Sequence, residues 1–316
     1  MVTNLFTKTT YKAYLSSLIF SLLVVFFVQY CKNSGVFSFE MIPKGLLSWG
    51  MFVFVVLMVS FLESRYTYNN YGAIHLLAFP MVFLFFPHGS GLLISKFFVG
   101  IMIIYSKYIY SKIFFSEKSS KNLFDLSLVF SLLIIYNQAF VFFYLLPLSL
   151  LFHQRFRNTK HVVSFLLPVI FVPLFSIGVL NAVPKRIFEP FSSVLKLNIW
   201  DSQSQSNSEF FWFIVLIMAV LSTVIYRPKR YEKEASPERG LGFAYMSFWL
   251  YGSILIGFLG LHIGQGRWFL SFIPAAYFFG VFLEKIKSNF IKNAVIMFSL
   301  IATIVFKLVD FEIVSL

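Results

Sequence analysis

Nine stretches of this chain, roughly 13–30, 46–63, 72–87, 92–110, 162–180, 209–226, 241–261, 268–283 and 292–309, are apolar over lengths near that needed to cross a bilayer as a helix. A spanning helix takes about 20 predominantly apolar residues, with a range of about 17–25. A tenth stretch, 124–152, runs for 29 residues and is interrupted by Asn137-Gln138. Backbone N–H and C=O groups cannot be left unpaired in lipid, so the chain is expected to form an all-α, polytopic transmembrane helix bundle. Composition agrees, with 59% hydrophobic and only 12% charged residues over 316 positions and 44 Phe. A water-soluble surface needs more polar residues than that.

The 29-residue run is long for one crossing and short for two, and the distribution of basic residues arbitrates, because short Lys/Arg-rich loops stay on the cytoplasmic side. If 124–152 crosses twice as two short half-helices meeting at Asn137-Gln138, seventeen basic residues fall inside and six outside. A single crossing inverts every later loop and leaves ten inside against thirteen outside. The sequence therefore predicts about eleven crossings, N-terminus in and C-terminus out, as one integral-membrane domain over 1–316. Asn137 and Gln138 either face a cavity lined by backbone or form a plain hairpin at the outer interface.

The formal charge of +13 is accounted for by those inner loops, where basic residues meet anionic lipid headgroups. The basic residues are scattered and accompany no binding motif, which argues against nucleic acid as a partner. The single cysteine, Cys31, excludes an intramolecular disulfide and a cysteine zinc site, and the region after Lys8 and Lys12 has no small-residue cleavage site, so the first helix reads as uncleaved. Five dispersed histidines, no Gly-rich phosphate loop and no GxSxG elbow leave no cofactor or metal identified.

The candidate chemistry lies on the outer side. The segment HIGQGRWFLSFIP places Arg267 at the start of a helix, with Gly264 and Gly266 flanking Gln265. Glycines let an anion approach the backbone, and a helix N-terminus favours negative charge. Arg267 and Gln265 are therefore candidate contacts to a phosphate, or else Arg267 anchors to bulk headgroups or to Asp310 and Glu312. The polar outer loop 181–208 supplies Lys185 and Arg186 on the polar side of an interfacial helix, followed by a low-complexity Ser/Gln tract. Glu40, the only acid of the first outer loop, is the candidate base, or pairs with Lys44. Lys96 and Lys107 lie within helices and are expected to snorkel to the interfaces.

Two resemblances accompany these residues. Asn4–Lys12, and Lys121–Asp125 running through the Asn137-Gln138 break to Phe152 and Arg155-Phe156-Arg157, resemble a family of polytopic inner-membrane proteins of Gram-negative bacteria of similar length. That family has no established activity, so the resemblance implies only localisation in the bacterial cytoplasmic membrane. Arg267-Trp268-Phe269-Leu270-x-x-x-Pro274 is similar to the Arg-aromatic-Leu-x-x-x-Pro signature of C-superfamily glycosyltransferases. Those multi-helix enzymes take sugars from polyprenyl-phosphate carriers at the outer face, with a catalytic acid in the first outer loop onto which Glu40 maps; the usual paired acids are missing here. The resemblance implies a polyprenyl-phosphate-linked substrate and glycosyl transfer or polymerisation. The alternatives are a non-catalytic subunit or scaffold of an envelope assembly with a membrane-protein partner, and, third, a transporter.

Overall fold

The computed structural model describes residues 10–32, 39, 41–66, 73–86, 93–136, 138–153, 156–181, 207–226, 237–258 and 268–310. Among the described residues there are eleven α-helices and no β-strand. In chain order these are α1 Tyr11–Lys32, α2 Met41–Tyr66, α3 Ala73–Phe85, α4 Leu93–Ile113, α5 Ser119–Tyr136, α6 Leu145–Leu151, α7 Thr159–Asn181, α8 Asn207–Ile225, α9 Pro237–Phe258, α10 Phe272–Lys285 and α11 Asn289–Asp310. Four of them, α1, α2, α7 and α9, are long and apolar enough to cross a membrane.

The centre of the bundle is the pair α3 and α10. Both are apolar around their whole circumference, and a helix of that kind has no face to offer water. Every described side chain of α3 is buried, and α10 is buried continuously from Phe272 to Val281. The two run antiparallel: Phe83 and Phe86 at the end of α3 meet Phe272 at the start of α10, while His75 near the start of α3 meets Tyr277 and Gly280 towards its end. The outer helices turn apolar residues away from the protein instead. Phe171, Leu174 and Phe175 of α7, Ile217 and Val224 of α8, and Phe298 and Ile301 of α11 are all exposed. An exposed apolar surface of that extent is consistent with a membrane protein.

The 124–152 run reverses between the described ends at Tyr136 and Gln138. The first arm is α5, which begins already at Ser119; the return arm is a 3₁₀ helix, Gln138–Tyr144, followed directly by α6. The arms lie side by side, with the hydroxyls of Ser131 and Tyr144 hydrogen-bonded and the Phe130 and Tyr144 rings 6.2 Å apart. Phe114 before the hairpin and Phe156 after it are 5.2 Å apart, so the chain leaves and returns at the same end of the bundle. The expected pair of short α-helices is thus one full helix and one mixed arm. Pro147 accords with the difference, because in an unbroken α-helix its missing N–H would leave the carbonyl of Phe143 without its donor. It sits instead third in α6, in the first turn, where an N–H has no intrahelical partner anyway.

A second proline is kept inside a buried helix. Pro80 has no N–H to donate to the carbonyl of Leu76, four residues earlier in α3. The hydroxyl of Ser17 on α1 donates to that carbonyl at 2.6 Å, in a fully buried contact. Ser17→Ala is expected to destabilise the bundle by about 1–2 kcal/mol, because the orphaned carbonyl has no water to turn to. Unfolding by SDS in mixed micelles measures this, and in a Pro80→Ala background, where Leu76 regains its own helical donor, the effect of Ser17→Ala should shrink. Equal effects in both backgrounds would show that Ser17 acts in some other way.

Candidate functional site

Of the residues the sequence nominates, Glu40, Asn137, Lys185, Arg186, Gln265 and Arg267 lie outside the described residues, and Gln138 is described only as the first residue of the 3₁₀ helix. The segment that follows Arg267 is described from Trp268 on. Trp268 is 1% exposed, with its ring edge-on to Phe213 at 5.2 Å and to Phe258 at 5.5 Å. Three residues later, the Ser271 hydroxyl donates to the Trp268 carbonyl at 2.6 Å and accepts the indole N–H of Trp212 at 3.2 Å. Phe272 then enters α10 edge-on to Phe79, Phe83 and Phe86 of α3.

Phe86 closes the group, perpendicular to Trp212 at 5.0 Å. Edge-to-face pairs of this kind each add about 0.5–1.5 kcal/mol beyond the area they bury. The backbone leaving Arg267 is therefore held from three sides: by the end of α3, the start of α8 and the end of α9.

At the opposite end of the bundle is a second cluster, built from four helices. Lys107 on α4 places its Nζ 4.4 Å from the centroid of the Tyr277 ring on α10. The other partner of Tyr277 is His75 of α3, stacked nearly parallel at 5.4 Å and 12°. Two glycines make the space. A Cβ on Gly242 of α9 would come within 3.0 Å of the Lys107 Cε, and a Cβ on Gly280 would come within 2.2 Å of the His75 Nδ1. Beside this stack the hydroxyls of Ser106 and Tyr245 are hydrogen-bonded, and the Tyr245 ring lies 5.3 Å from that of Tyr110.

Lys107, expected to snorkel, is half-buried and lies against the protein. Its stem crosses the bare backbone of α9, and its ammonium lies over the face of an aromatic ring. A snorkelling expectation rests on depth along one helix; Gly242, Tyr277 and Gly280 are remote in sequence and become neighbours only through the fold. The usable signal is that Gly242, Gly280 and an intrahelical lysine all sit at the same ends of their apolar segments. Chemically, the stack holds a cation and two aromatic rings in fixed order inside an apolar bundle. Among the described residues, no three metal-ligating side chains converge.

Comparison of the chain with family models, with curated proteins and with solved structures gives no match. The fold defines an all-helical bundle with four helices long and apolar enough to cross a bilayer among the described residues.

Proposed function

We propose that this chain is a multi-pass protein of the bacterial cytoplasmic membrane with eleven crossings, N-terminus inside and C-terminus outside, which handles a lipid-linked, phosphate-bearing substrate at the outer face by glycosyl transfer or polymerisation. The observation that supports this best is the rigid seat of Trp268, Ser271 and Phe272. It fixes the chain that leaves Arg267 at the end of the bundle opposite Lys112, Lys118 and Lys121. Arg267 is then a basic residue held on the side where the positive-inside trend disfavours one. The hairpin arms fit the count of crossings. Seven residues rising about 2.0 Å each and seven rising about 1.5 Å reach roughly 25 Å, close to a hydrocarbon core of about 30 Å.

In this reading Glu40 accepts the proton of an acceptor hydroxyl, whose oxygen attacks the anomeric carbon of the lipid-linked sugar. The bond from that carbon to the phosphate oxygen breaks, and the polyprenyl phosphate leaves as an anion met by Arg267 with Lys185 and Arg186. Gln265, Asn137 and Gln138 supply neutral hydrogen bonds to the sugar and phosphate. A charge-assisted contact to the leaving phosphate acts most strongly in the transition state, so its removal slows turnover by 100-fold or more on the scale of about 2.7–4 kcal/mol.

Complementation of a deletion strain with Arg267→Ala and with Glu40→Gln is expected to leave envelope glycans depleted, with both variants still inserted in the membrane. Unchanged glycans in both overturn the reading. Lipid analysis of the purified protein gives an independent check, since a polyprenyl phosphate should co-purify with the wild type and be lost from Arg267→Ala.

A further inference from the structure

The end of the bundle that carries Lys107 also carries a corner with no part in the outer-face chemistry. It is formed by two turns, one joining α4 to α5 and the other joining α6 to α7. Phe156, 0% exposed, is the keystone between them, with its ring 5.2 Å from Phe114 and 5.4 Å from His161. Ser119 at the start of α5 and the Nε2 of His161 on α7 are hydrogen-bonded at 2.9 Å, which ties the turns a second time. Local bonds fix each turn on its own: the Lys118 N–H donates to the Ser116 hydroxyl at 3.0 Å, and the Phe156 N–H to the His153 carbonyl at 2.9 Å.

The described residues of the two turns and of the helix starts beside them include Lys118, Lys121, Arg157 and Lys160, all exposed, against Glu117 and Asp125 as the described acids. Like charges on two turns tied together by Ser119–His161 and Phe114–Phe156 repel one another, and an anion between the turns relieves that repulsion. Two large apolar side chains flank the basic group, Phe115 at 48% and Phe152 at 73% exposure. Exposed phenylalanines beside lysines and arginines match the two layers of a bilayer surface, where acyl chains lie just below phosphate.

We infer that the α4–α5 and α6–α7 turns form one binding corner for an anionic phospholipid, whose phosphate lies between Lys118, Lys121, Arg157 and Lys160 and whose acyl region meets Phe115 and Phe152. This rests on the multi-pass reading, and failure of that reading shows separately as recovery of the chain from the soluble fraction. The corner differs from a general positive-inside charge in being a fixed geometry. The third turn at the same end, between α10 and α11, is also basic, with Lys285, Lys287 and Lys292, and has no such keystone among the described residues.

The test uses the full chain in micelles carrying equal amounts of phosphatidylglycerol and phosphatidylcholine with matched acyl chains, and native mass spectrometry reads the lipid retained. Wild type should keep phosphatidylglycerol about tenfold in excess, equivalent to about 1.4 kcal/mol, which is modest for four basic residues at an anionic headgroup. Combined Lys118→Gln, Lys121→Gln, Arg157→Gln and Lys160→Gln should bring retention close to parity, whereas combined Lys285→Gln, Lys287→Gln and Lys292→Gln should leave the excess in place. Equal loss in both variants, or no loss in the first, overturns the corner as a site. Displacement of the lipid by millimolar inorganic phosphate overturns the lipid as its ligand, because the apolar contacts would then contribute nothing.

Discussion

Gly280→Ala is expected to disrupt the bundle more than any other one-carbon addition among the described glycines. The added Cβ would lie 2.2 Å from the Nδ1 and 2.6 Å from the Cε1 of His75, a ring that is 3% exposed and stacked on Tyr277. Either the ring rotates, which unstacks Tyr277 and removes the support under Lys107, or α3 and α10 separate along the best-buried seam of the protein. Overpacking of a dense core costs about 1–3 kcal/mol, and the upper end applies here because both partners are central. The measurement is SDS unfolding in mixed micelles, with His75→Ala in the same chain as the rescue. The double variant should recover most of the loss. If it is no better than Gly280→Ala alone, the clash with His75 is not the cause.

Trp249→Ala should have an effect of similar size by the opposite mechanism. Trp249 is 0% exposed and ties α9 to both arms of the hairpin: its ring stacks on Phe143 at 3.6 Å and 17°, lies parallel to Phe130 at 6.0 Å, and meets Phe140 edge-on at 5.8 Å. Truncating a buried Trp to Ala in a soluble core costs about 3–5 kcal/mol. Part of that value is transfer from water, which is absent when the unfolded helices remain in lipid, so the lower figure of about 3 kcal/mol is expected here. Trp249→Phe should retain at least half of the stability lost in the Ala variant, because a ring still fills the gap. The return arm offers the sharper readout: with its 3₁₀ turn no longer stacked on α9, proteolysis near residue 137 should accelerate in Trp249→Ala. An Ala variant within about 1 kcal/mol of wild type would mean that the hairpin packs without its α9 anchor.

The helices themselves are legible in the sequence, because each apolar run is long enough to need internal hydrogen bonding and too apolar to face water. The burial of α3 is legible for the same reason: between Ile74 and Phe86 only His75 carries a polar side chain, so there is no face to place outside. The reversal between Tyr136 and Gln138 follows from the basic residues on either side of the run and from the break in apolar sequence. The nature of the return arm is less legible, since Pro147 marks where an α-helix is difficult without saying that a 3₁₀ helix will precede it.

The Lys107 stack is not legible, because none of its contacts is local. One helix contributes the cation, another the ring it rests on, a third the ring beneath, and a fourth only the absence of a side chain at Gly242. Spacing along a single helix carries no information about which glycine faces which lysine. Arg267 stands out in the sequence for its charge, whereas the described contacts belong to the residues that follow it. Trp268, part of the Arg-aromatic-Leu signature, and Phe272 hold the chain after Arg267 against α3, α8 and α9.

The pairing of α3 with α10 also bears on how the protein is made. α3 has 13 residues, about 20 Å of helix, and a helix that short does not cover the hydrocarbon thickness on its own. Its cover includes a helix that leaves the ribosome only after roughly 190 further residues, a delay of about 10–40 s at ordinary synthesis rates. During that interval the nascent chain holds a short apolar helix with its Pro80 break and a buried histidine, covered at first by α1 and α2 and later in part by α8. Completion of the fold is therefore set by the arrival of the C-terminal seventh of the chain, and a ribosome that stalls before Phe272 leaves a product with an open centre.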